Sequence, residues 1–588
     1  MQLDNPLIIQ SDRTLLLDVH APKAEECRSA LIPFAELERS PEHLHTYRLT
    51  PLSLWNAASA GFSPQQAVDV LKEFARYEVP QSVTAWIAET AGRFGKIRLV
   101  PNPTQKDNEL PEDLYLLTES ENVYRELLST PTLRKLLTPC KIKNLPASCE
   151  YGFSLNLANR GTVKQELLKL GWPVKDEVPL ISGATLSFQL KQKSLSGEDF
   201  VIRDYQKAAA HSLVGNLGPG TGFGTIVLPC GAGKTIVGML IMSLLQTNTL
   251  IVTTNISAVH QWINELLDKT SLQKEQIAEY TGESKTIKPV TVATYQILTW
   301  RPDKDAPYPH FQLFRQHPWG LIIYDEVHML PAPVFRVAAE LQAIRRVGLT
   351  ATLVREDGCE GHVFSLVGPK RYDVPWKELE HSGWIASAEC IEIRLDLPPE
   401  KEIDYASADL RRKHRIASEN PAKIALVQEL TNRFSSDRIL IIGQYIEQLQ
   451  EIAKLLNAPI ITGKTPTCER DKLYAKFRSG EITILVVSKV ANFAIDLPDA
   501  SMAIQVSGTF GSRQEEAQRL GRILRPKERT ARFFTLITRN TAEEDFGSNR
   551  QKFLAEQGYA YKLIRYSQLS DLDTITETLP CLQNEVSK

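Results

Sequence analysis

The chain has 588 residues, 43% of them apolar and 23% charged, with a formal net charge of −2. That length predicts about four domains, the composition is that of an ordinary globular protein, and the near-neutral balance excludes a globally basic nucleic-acid binder, so any such surface must be local. The eight cysteines form no CxxC pair and no zinc or iron–sulfur spacing, which points to reduced thiols and a cytoplasmic location. The start, MQLDNPLIIQSDR, has no basic region followed by a long apolar run, and no stretch of about 20 uncharged apolar residues follows, so neither a signal peptide nor a membrane helix is expected.

Leu7 to Val19 reads as two short strands around Ser11-Asp12. Thr50-Pro51 and Ser63-Pro64 then place proline at the first turn of two helices. Short helices followed by Gly95–Val100 suggest either a winged-helix-like unit or a protein-docking module. A Pro- and charge-rich linker covers 103–113, closing an N-terminal accessory domain at 1–113. A small mixed α/β domain follows at 114–195, with a helix ending at Gly171.

Near 196 the pattern changes. Apolar strand candidates at 225–229, 249–253, 290–294, 320–324 and 346–350 alternate with helices. A second series runs 437–442, 458–461, 482–487, 502–506 and 531–537. Alternating strands and helices predict parallel, doubly wound sheets. The fold class is therefore α/β, with two tandem parallel-sheet lobes preceded by smaller α+β accessory domains. The first lobe is expected at 196–378, a linker region at 379–420 around Leu397-Pro398-Pro399-Glu400, the second lobe at 421–565, and a flexible tail at 566–588.

The chemistry begins at Thr225–Thr235, TIVLPCGAGKT. A buried strand breaks at Pro229 and Cys230. Gly231, Ala232 and Gly233 lead into Lys234, Thr235 and a helix. Such a loop turns backbone N–H groups and a helix N-terminus toward phosphates. Lys234 would reach the outer phosphates of ATP and the Thr235 hydroxyl would bind Mg²⁺. The eight-residue P-loop pattern asks for glycine where Leu228 stands, so only the GxGKT core is present. A glycine-rich turn before an ordinary helix is the plainer alternative.

Gly320–His328, GLIIYDEVH, delivers two carboxylates at a strand end. Asp325 would hold Mg²⁺ while Glu326 orients and deprotonates water. Both segments would lie at the carboxyl ends of strands, where doubly wound sheets bind ligands. Thr350 and Thr352 follow another strand and could sense the site, or simply end a Thr-rich strand. In Gln514–Arg525, QEEAQRLGRILR, Gln518, Arg522 and Arg525 share one helical face. That suits guanidinium groups stabilising a transferring phosphate, with a salt-bridged or nucleic-acid-facing helix as the alternative. Gln206, after Arg203, has the donor and acceptor needed to read an adenine edge, or is merely an exposed residue at a helix start.

LPCGAGKT, DEVH, LTATLVRED and EEAQRLGRILR in this order resemble superfamily-two helicases, and above all the XPB (Rad25-type) DNA repair helicase family in its bacterial form. Arg355, Glu356 and Asp357 match that family's RED element, and Gly368–Trp376 and Ser488–Pro498 are also similar to it. The resemblance covers about 200–565, and more weakly the N-terminal third, whose 114–195 segment would be damage-recognition-like. It implies two RecA-like lobes and ATP-driven 3′–5′ DNA unwinding in repair. It implies ATP contacts by Arg203, Gln206 and 229–235, Mg²⁺ at Thr235 and Asp325, and catalysis by Glu326, Gln518, Arg522 and Arg525. Coupling falls to His328, Thr350, Thr352 and Asp496. Contacts with single-stranded or duplex DNA, and unwinding, fall to Thr254, Gln261, Trp262, Thr294, Arg355, Glu356, Asp357, Gln444 and Ser488. A nuclease or other repair protein is the implied partner. Only 400–420, with its basic run Arg411–Arg415, could stand in for the thumb of some relatives; that run either touches phosphates or is a solvated helix face.

Overall fold

The computed structural model describes residues 4–571 except 32, 40–42, 60, 102–112, 141–150, 157–158, 178–182, 216–221, 230, 304–305, 307–308, 311–316, 330–344, 352–366, 369, 375, 489–499, 509–515, 517–518, 522, 524–529 and 558. The chain divides into two units with the main boundary at 375/376.

Two small sheets open the first unit. Strands β1 (Leu7–Ile9), β2 (Thr14–Asp18), β3 (Glu36–Arg39) and β4 (Leu44–Arg48) pair antiparallel in the order β1-β2-β4-β3. Their apolar face packs on helices, including Pro64–Phe74. That helix starts where proline predicts, because Ser63 Oγ accepts from the Gln66 N–H at 3.2 Å while Gln66 Oε1 accepts from the Ser63 N–H at 2.7 Å. Its buried residues Ala67, Val68, Leu71 and Phe74 recur at helical spacing.

The second sheet holds β5 (Ile97–Pro101), β6 (Asp113–Thr118), β7 (Thr138–Cys140), β8 (Gly152–Asn156) and β9 (Val174–Asp176), ordered β7-β8-β6-β5-β9. Gly95–Val100 therefore does not complete the first module, as a boundary at 113 would require. Ile97–Pro101 pairs antiparallel with Asp113–Thr118 and parallel with Val174–Asp176, so it is an inner strand of this second sheet.

The third sheet is entirely parallel. It contains β10 (Phe223–Val227), β11 (Thr249–Thr253), β12 (Ile277–Tyr280), β13 (Val290–Thr294), β14 (Leu321–Asp325), β15 (Arg345–Thr350) and β16 (Lys370–Asp373), ordered β12-β13-β11-β14-β15-β10-β16. β11 and β13 are buried along their whole length, as strands covered by helices on both faces must be. An ion-pair cluster holds the second accessory module together, and a hydrogen bond ties the first to this sheet. Asp176 takes two bonds from Arg160, at 2.9 and 2.8 Å, and one from Lys164 at 2.9 Å. The Arg28 guanidinium donates to the Asp373 carbonyl at 2.9 Å.

In the second unit, β17 (Ala388–Leu395), β18 (Ile439–Ile442), β19 (Ile460–Ile461), β20 (Ile484–Val487), β21 (Met502–Gln505), β22 (Ala531–Thr538) and β23 (Tyr561–Arg565) form another parallel sheet, ordered β19-β20-β18-β21-β22-β17-β23. β17 lies between β22 and β23, so the expected linker at 379–420 contains an inner strand of the lobe. Pro399 is no linker signal either: it opens the helix Pro399–Ser407 at its first turn. Residues 566–571, expected in a flexible tail, are held in place: Leu569 is buried and its carbonyl accepts from Arg433 at 2.7 Å. Each sheet has two strands absent from the predicted series: β12 and β16 in the first, β17 and β23 in the second. They lie at or near the sheet edges, where alternating polar residues such as those of β17 (AECIEIRL) hide the apolar run.

Candidate active site

Strands β10, β14 and β15 are neighbours, so their carboxyl ends bring three sequence-distant loops together. After β10, the Leu228 N–H donates to the Thr350 carbonyl at 3.0 Å, continuing the pairing with β15. Gly231 and Gly233 then take φ of 82° and 80°, and Gly233 is the N-cap of the helix Lys234–Leu245. A Cβ at Gly233 would lie 2.5 Å from Gln206 Nε2. Only glycine permits both the left-handed turn and that approach.

Gln206 is buried rather than exposed. Its Oε1 accepts from the Arg203 N–H at 3.0 Å, and the Arg203 guanidinium donates to Tyr205 Oη at 3.1 Å. The side chain expected to read adenine is thus held against the glycine loop.

At the end of β14, Glu326 has φ of 50°, a left-handed conformation uncommon for this residue type. The turn allows successive side chains, which a strand would send to opposite faces, to share one site. Glu326 Oε1 lies 3.8 Å from Lys234 Nζ, and Glu326 Oε2 lies 3.4 Å from His328 Nδ1. The same His328 nitrogen is 3.2 Å from Thr350 Oγ1. Lys234, Glu326, His328 and Thr350 therefore form one chain of contacts.

Asp325 accepts at Oδ2 from the Trp262 indole N–H at 3.0 Å and at Oδ1 from the Glu326 N–H at 3.1 Å. Burial first, and Glu326 second, push its carboxyl up to about 6. A carboxylate held at that cost, beside a second carboxylate and one lysine, has the excess negative charge that a divalent cation satisfies. The Asp325 carboxylate and the hydroxyl of Thr235, the residue after Lys234, are the hard-oxygen donors that Mg²⁺ prefers. The described residues thus fit a Mg²⁺–triphosphate.

Some expected roles change. Trp262, assigned to the nucleic-acid strand, is 1% exposed and bonded to Asp325. It packs under the phosphate-loop helix, where a Cβ at Gly238 would meet its ring at 2.6 Å. A large aromatic inside the lobe cannot face a strand outside it. Thr254, Thr294 and Ser488 are buried at the carboxyl ends of β11, β13 and β20, and Gln444 follows β18 with its N–H bonded to Ser507 Oγ at 2.8 Å. Gln261 is half-buried on the helix Ile256–Lys269. Cys230, Thr352, Arg355, Glu356, Asp357, Asp496, Gln518, Arg522 and Arg525 lie outside the described residues. The basic run divides: Arg411 and Arg412 are exposed, His414 is buried against Tyr445, and Arg415 pairs with Glu419 and Glu447.

Sequence reasoning missed Tyr295, whose hydroxyl donates to the Asp325 carbonyl at 3.1 Å. It also missed Arg519, which is 1% exposed and donates to Gln505 Oε1 at 2.6 Å.

A chain 50% identical over 565 residues, covering 95% of this protein and 96% of the relative, is the "DNA 3'-5' helicase XPB" of Kineococcus radiotolerans. This protein belongs to the XPB helicase family. The relative of the same name from Mycobacterium tuberculosis is 48% identical over 95% of this chain and 97% of its own. The Saccharomyces cerevisiae "General transcription and DNA repair factor IIH helicase/translocase subunit XPB/SSL2" is 31% identical, with 95% and 72% covered. Family models match as well: the ERCC3/RAD25/XPB C-terminal helicase over 379–584, the type III restriction enzyme res subunit over 199–355, and a helicase conserved C-terminal domain over 7–139. The last of these falls on the first sheet and part of the second. Among solved structures, the Pyrococcus furiosus Hef helicase domain matches with 16% identity and a TM-score of 0.40, over 60% of this chain and 98% of that one. The second parallel lobe falls within the XPB C-terminal helicase match, and the res-subunit match covers most of the first. Among the described residues, no helix is long and apolar enough to cross a membrane.

Proposed function

We propose that this XPB-family protein couples ATP hydrolysis to 3′–5′ movement along DNA and strand separation, and that it serves DNA repair in the cytoplasm. The observation that carries the reading is the convergence of Lys234, Asp325, Glu326, His328 and Thr350 at the carboxyl ends of one parallel sheet. Lys234 and the loop 229–233 hold the triphosphate, and Gln206 with Arg203 borders the base. Thr235 and Asp325 would hold Mg²⁺, which supplies charge neutralisation at the phosphates when bound. Glu326 takes the proton of the attacking water. His328 and Thr350 pass the state of Glu326 to the rest of the lobe, with Thr352 and Asp496 completing the relay. Arg522 and Arg525 supply positive charge to the transferring phosphate, and Gln518 supplies a neutral hydrogen-bonding group beside them. Arg522→Ala should spare ATP affinity and reduce turnover about 10³-fold or more.

Thr254, Gln261, Thr294, Gln444 and Ser488 mark the segments that follow the nucleic-acid backbone, and Arg355, Glu356 and Asp357 act in unwinding. Backbone contacts give grip without reading sequence, so binding should weaken steeply with salt. A nuclease or another repair protein is the expected partner.

The test is the ATPase rate with single-stranded DNA, duplex DNA and RNA, with Lys234→Ala as blank. Stimulation by DNA above RNA is expected, and no stimulation by any nucleic acid would refute the reading. A second reading, duplex translocation without strand separation, is favoured by the helicase/translocase names of the eukaryotic relatives. Strand displacement on tailed and blunt duplexes separates the two. An ATP-gated scaffold would bind ATP without ever hydrolysing it.

A further inference from the structure

Asp325 is held by more than its own loop. The Trp262 indole N–H donates to its side chain at 3.0 Å, and the Tyr295 hydroxyl donates to its carbonyl at 3.1 Å. Both donors are buried, at 1% and 0% exposure, so neither bond competes with bulk water.

The two donors come from elements that begin at other strand ends. Trp262 lies on the helix Ile256–Lys269, which Asn255 caps by accepting from the Ala258 N–H at 2.9 Å. That helix follows Thr254 at the end of β11. Tyr295 opens the short helix Tyr295–Leu298, which Thr294 caps at the end of β13. The neighbouring Gln296 closes the circuit: its Nε2 donates to the Thr254 carbonyl at 2.7 Å. The loops after β11 and β13 are thus bonded to each other, and each sends one buried donor to the same aspartate.

We infer that Trp262 and Tyr295 are positioning residues for the metal-binding Asp325, and that they link it to the loops after β11 and β13. The geometry leaves little slack. Trp262 is wedged beneath the phosphate-loop helix, where its ring edge fills the space a Cβ on Gly238 would need. A shift of the helix Ile256–Lys269 must therefore move the indole N–H relative to Asp325. Asp325 in turn shares its turn with Glu326, through the 3.1 Å bond from the Glu326 N–H. Movement of the two loops would reach the metal ligand and the water-activating carboxylate together. This second part rests on the reading that those loops follow the DNA strand.

The test removes the two donors and leaves an aromatic side chain at each position. Trp262→Phe and Tyr295→Phe are compared with Trp319→Phe, which removes a buried indole just before β14 at the opposite end from the site. The first readout is the Mg²⁺ concentration giving half-maximal binding of a fluorescent ATP analogue, without DNA. Partners behind a metal ligand typically carry about 10–100-fold in metal affinity, so Trp262→Phe should raise this concentration at least about tenfold and Trp319→Phe should not. An unchanged Mg²⁺ requirement in both Trp262→Phe and Tyr295→Phe overturns the positioning role. The second readout is the ratio of ATPase rates with and without DNA at saturating Mg²⁺. Linkage predicts that Tyr295→Phe and Trp262→Phe lower this ratio more than they lower the basal rate. A shifted Mg²⁺ requirement with an unchanged ratio keeps the positioning role and overturns the link to the loops. The Mg²⁺ arm contains no DNA, so its result is independent of which loops hold the strand. Melting curves identify a variant that does not fold, in which case the other variant carries both readouts.

Discussion

Replacing Glu326 by glutamine should separate nucleotide binding from turnover. Glu326 Oε1 is 3.8 Å from Lys234 Nζ, with the two side chains 14% and 13% exposed. At an effective dielectric of about 20, opposite charges at that separation attract by about 4 kcal/mol. The same carboxylate repels Asp325 and helps to push that carboxyl up to about 6. Glutamine removes both effects, one favouring and one opposing the charged site. Affinity for the Mg²⁺–nucleotide should therefore change by less than about tenfold, or ~1.4 kcal/mol. Turnover loses its proton acceptor, a contribution of about 10²–10⁴-fold, equivalent to about 2.7–5.5 kcal/mol of barrier. Glutamine has nearly the same shape and meets the same backbone turn, so folding should be retained. The assay pairs DNA-stimulated ATPase rates with titration of a fluorescent ATP analogue. Turnover within threefold of the unmodified protein would remove Glu326 from the catalytic role. Binding and turnover lost in equal measure would show that its charge serves only the phosphate loop.

Three further outcomes follow from a left-handed glycine and two buried groups. Gly233→Ala should weaken ATP binding more than tenfold, because its φ of 80° and a contact of 2.5 Å with Gln206 both oppose a Cβ; Gly61→Ala, at a φ of 82° with nothing within 4 Å, should cost only about 1–2 kcal/mol in urea unfolding and leave nucleotide affinity unchanged. Lys423 and Glu543 are both fully buried, with Nζ 2.8 Å from each carboxylate oxygen. Lys423→Met should cost about 3–5 kcal/mol by stranding the carboxylate, and adding Glu543→Gln should recover part of that loss; a double variant as unstable as the sum of the singles would refute the pairing. His414 is buried, its Nδ1 is 2.9 Å from Tyr445 Oη, and burial lowers its pKa to about 4 despite the facing Glu543, with Arg550 and Lys423 adding to the depression. The unfolded chain binds this proton first, near pH 6.5, so stability is complete above that value and falls as pH drops toward 4. His414→Gln should lose less stability between pH 7.5 and pH 5, read from urea midpoints at the two values.

Local chemistry explains why much of the site was legible. GAGKT and DEVH are short because the loop that grips a phosphate, and the strand end that presents carboxylates, are each made by a few consecutive residues. The buried inner strands β11, β13, β14 and β18 stand out for a similar reason: helices cover both faces, and no charged residue interrupts their runs. Pro51 and Pro64 were readable as helix starts because proline is tolerated in a first turn and not further in. The less regular strands were harder. β17 alternates Glu389, Glu392 and Arg394 with apolar residues, and these charges are paired by Lys562 and Glu544, partners far along the chain.

Residue type and spacing alone determined that this chain has a glycine loop before a helix, an acidic strand end and two parallel lobes. Only the tertiary structure decided that Trp262 faces inward to Asp325, that Tyr295 supports the same residue, that Gln206 lies against Gly233, and that β5 and β17 belong to their respective sheets. The division has a physical reason. A motif is written by neighbours along the chain, whereas a buried side chain's partner is chosen by which strands lie side by side, and β11, β13 and β14 are adjacent in space with tens of residues between them in sequence.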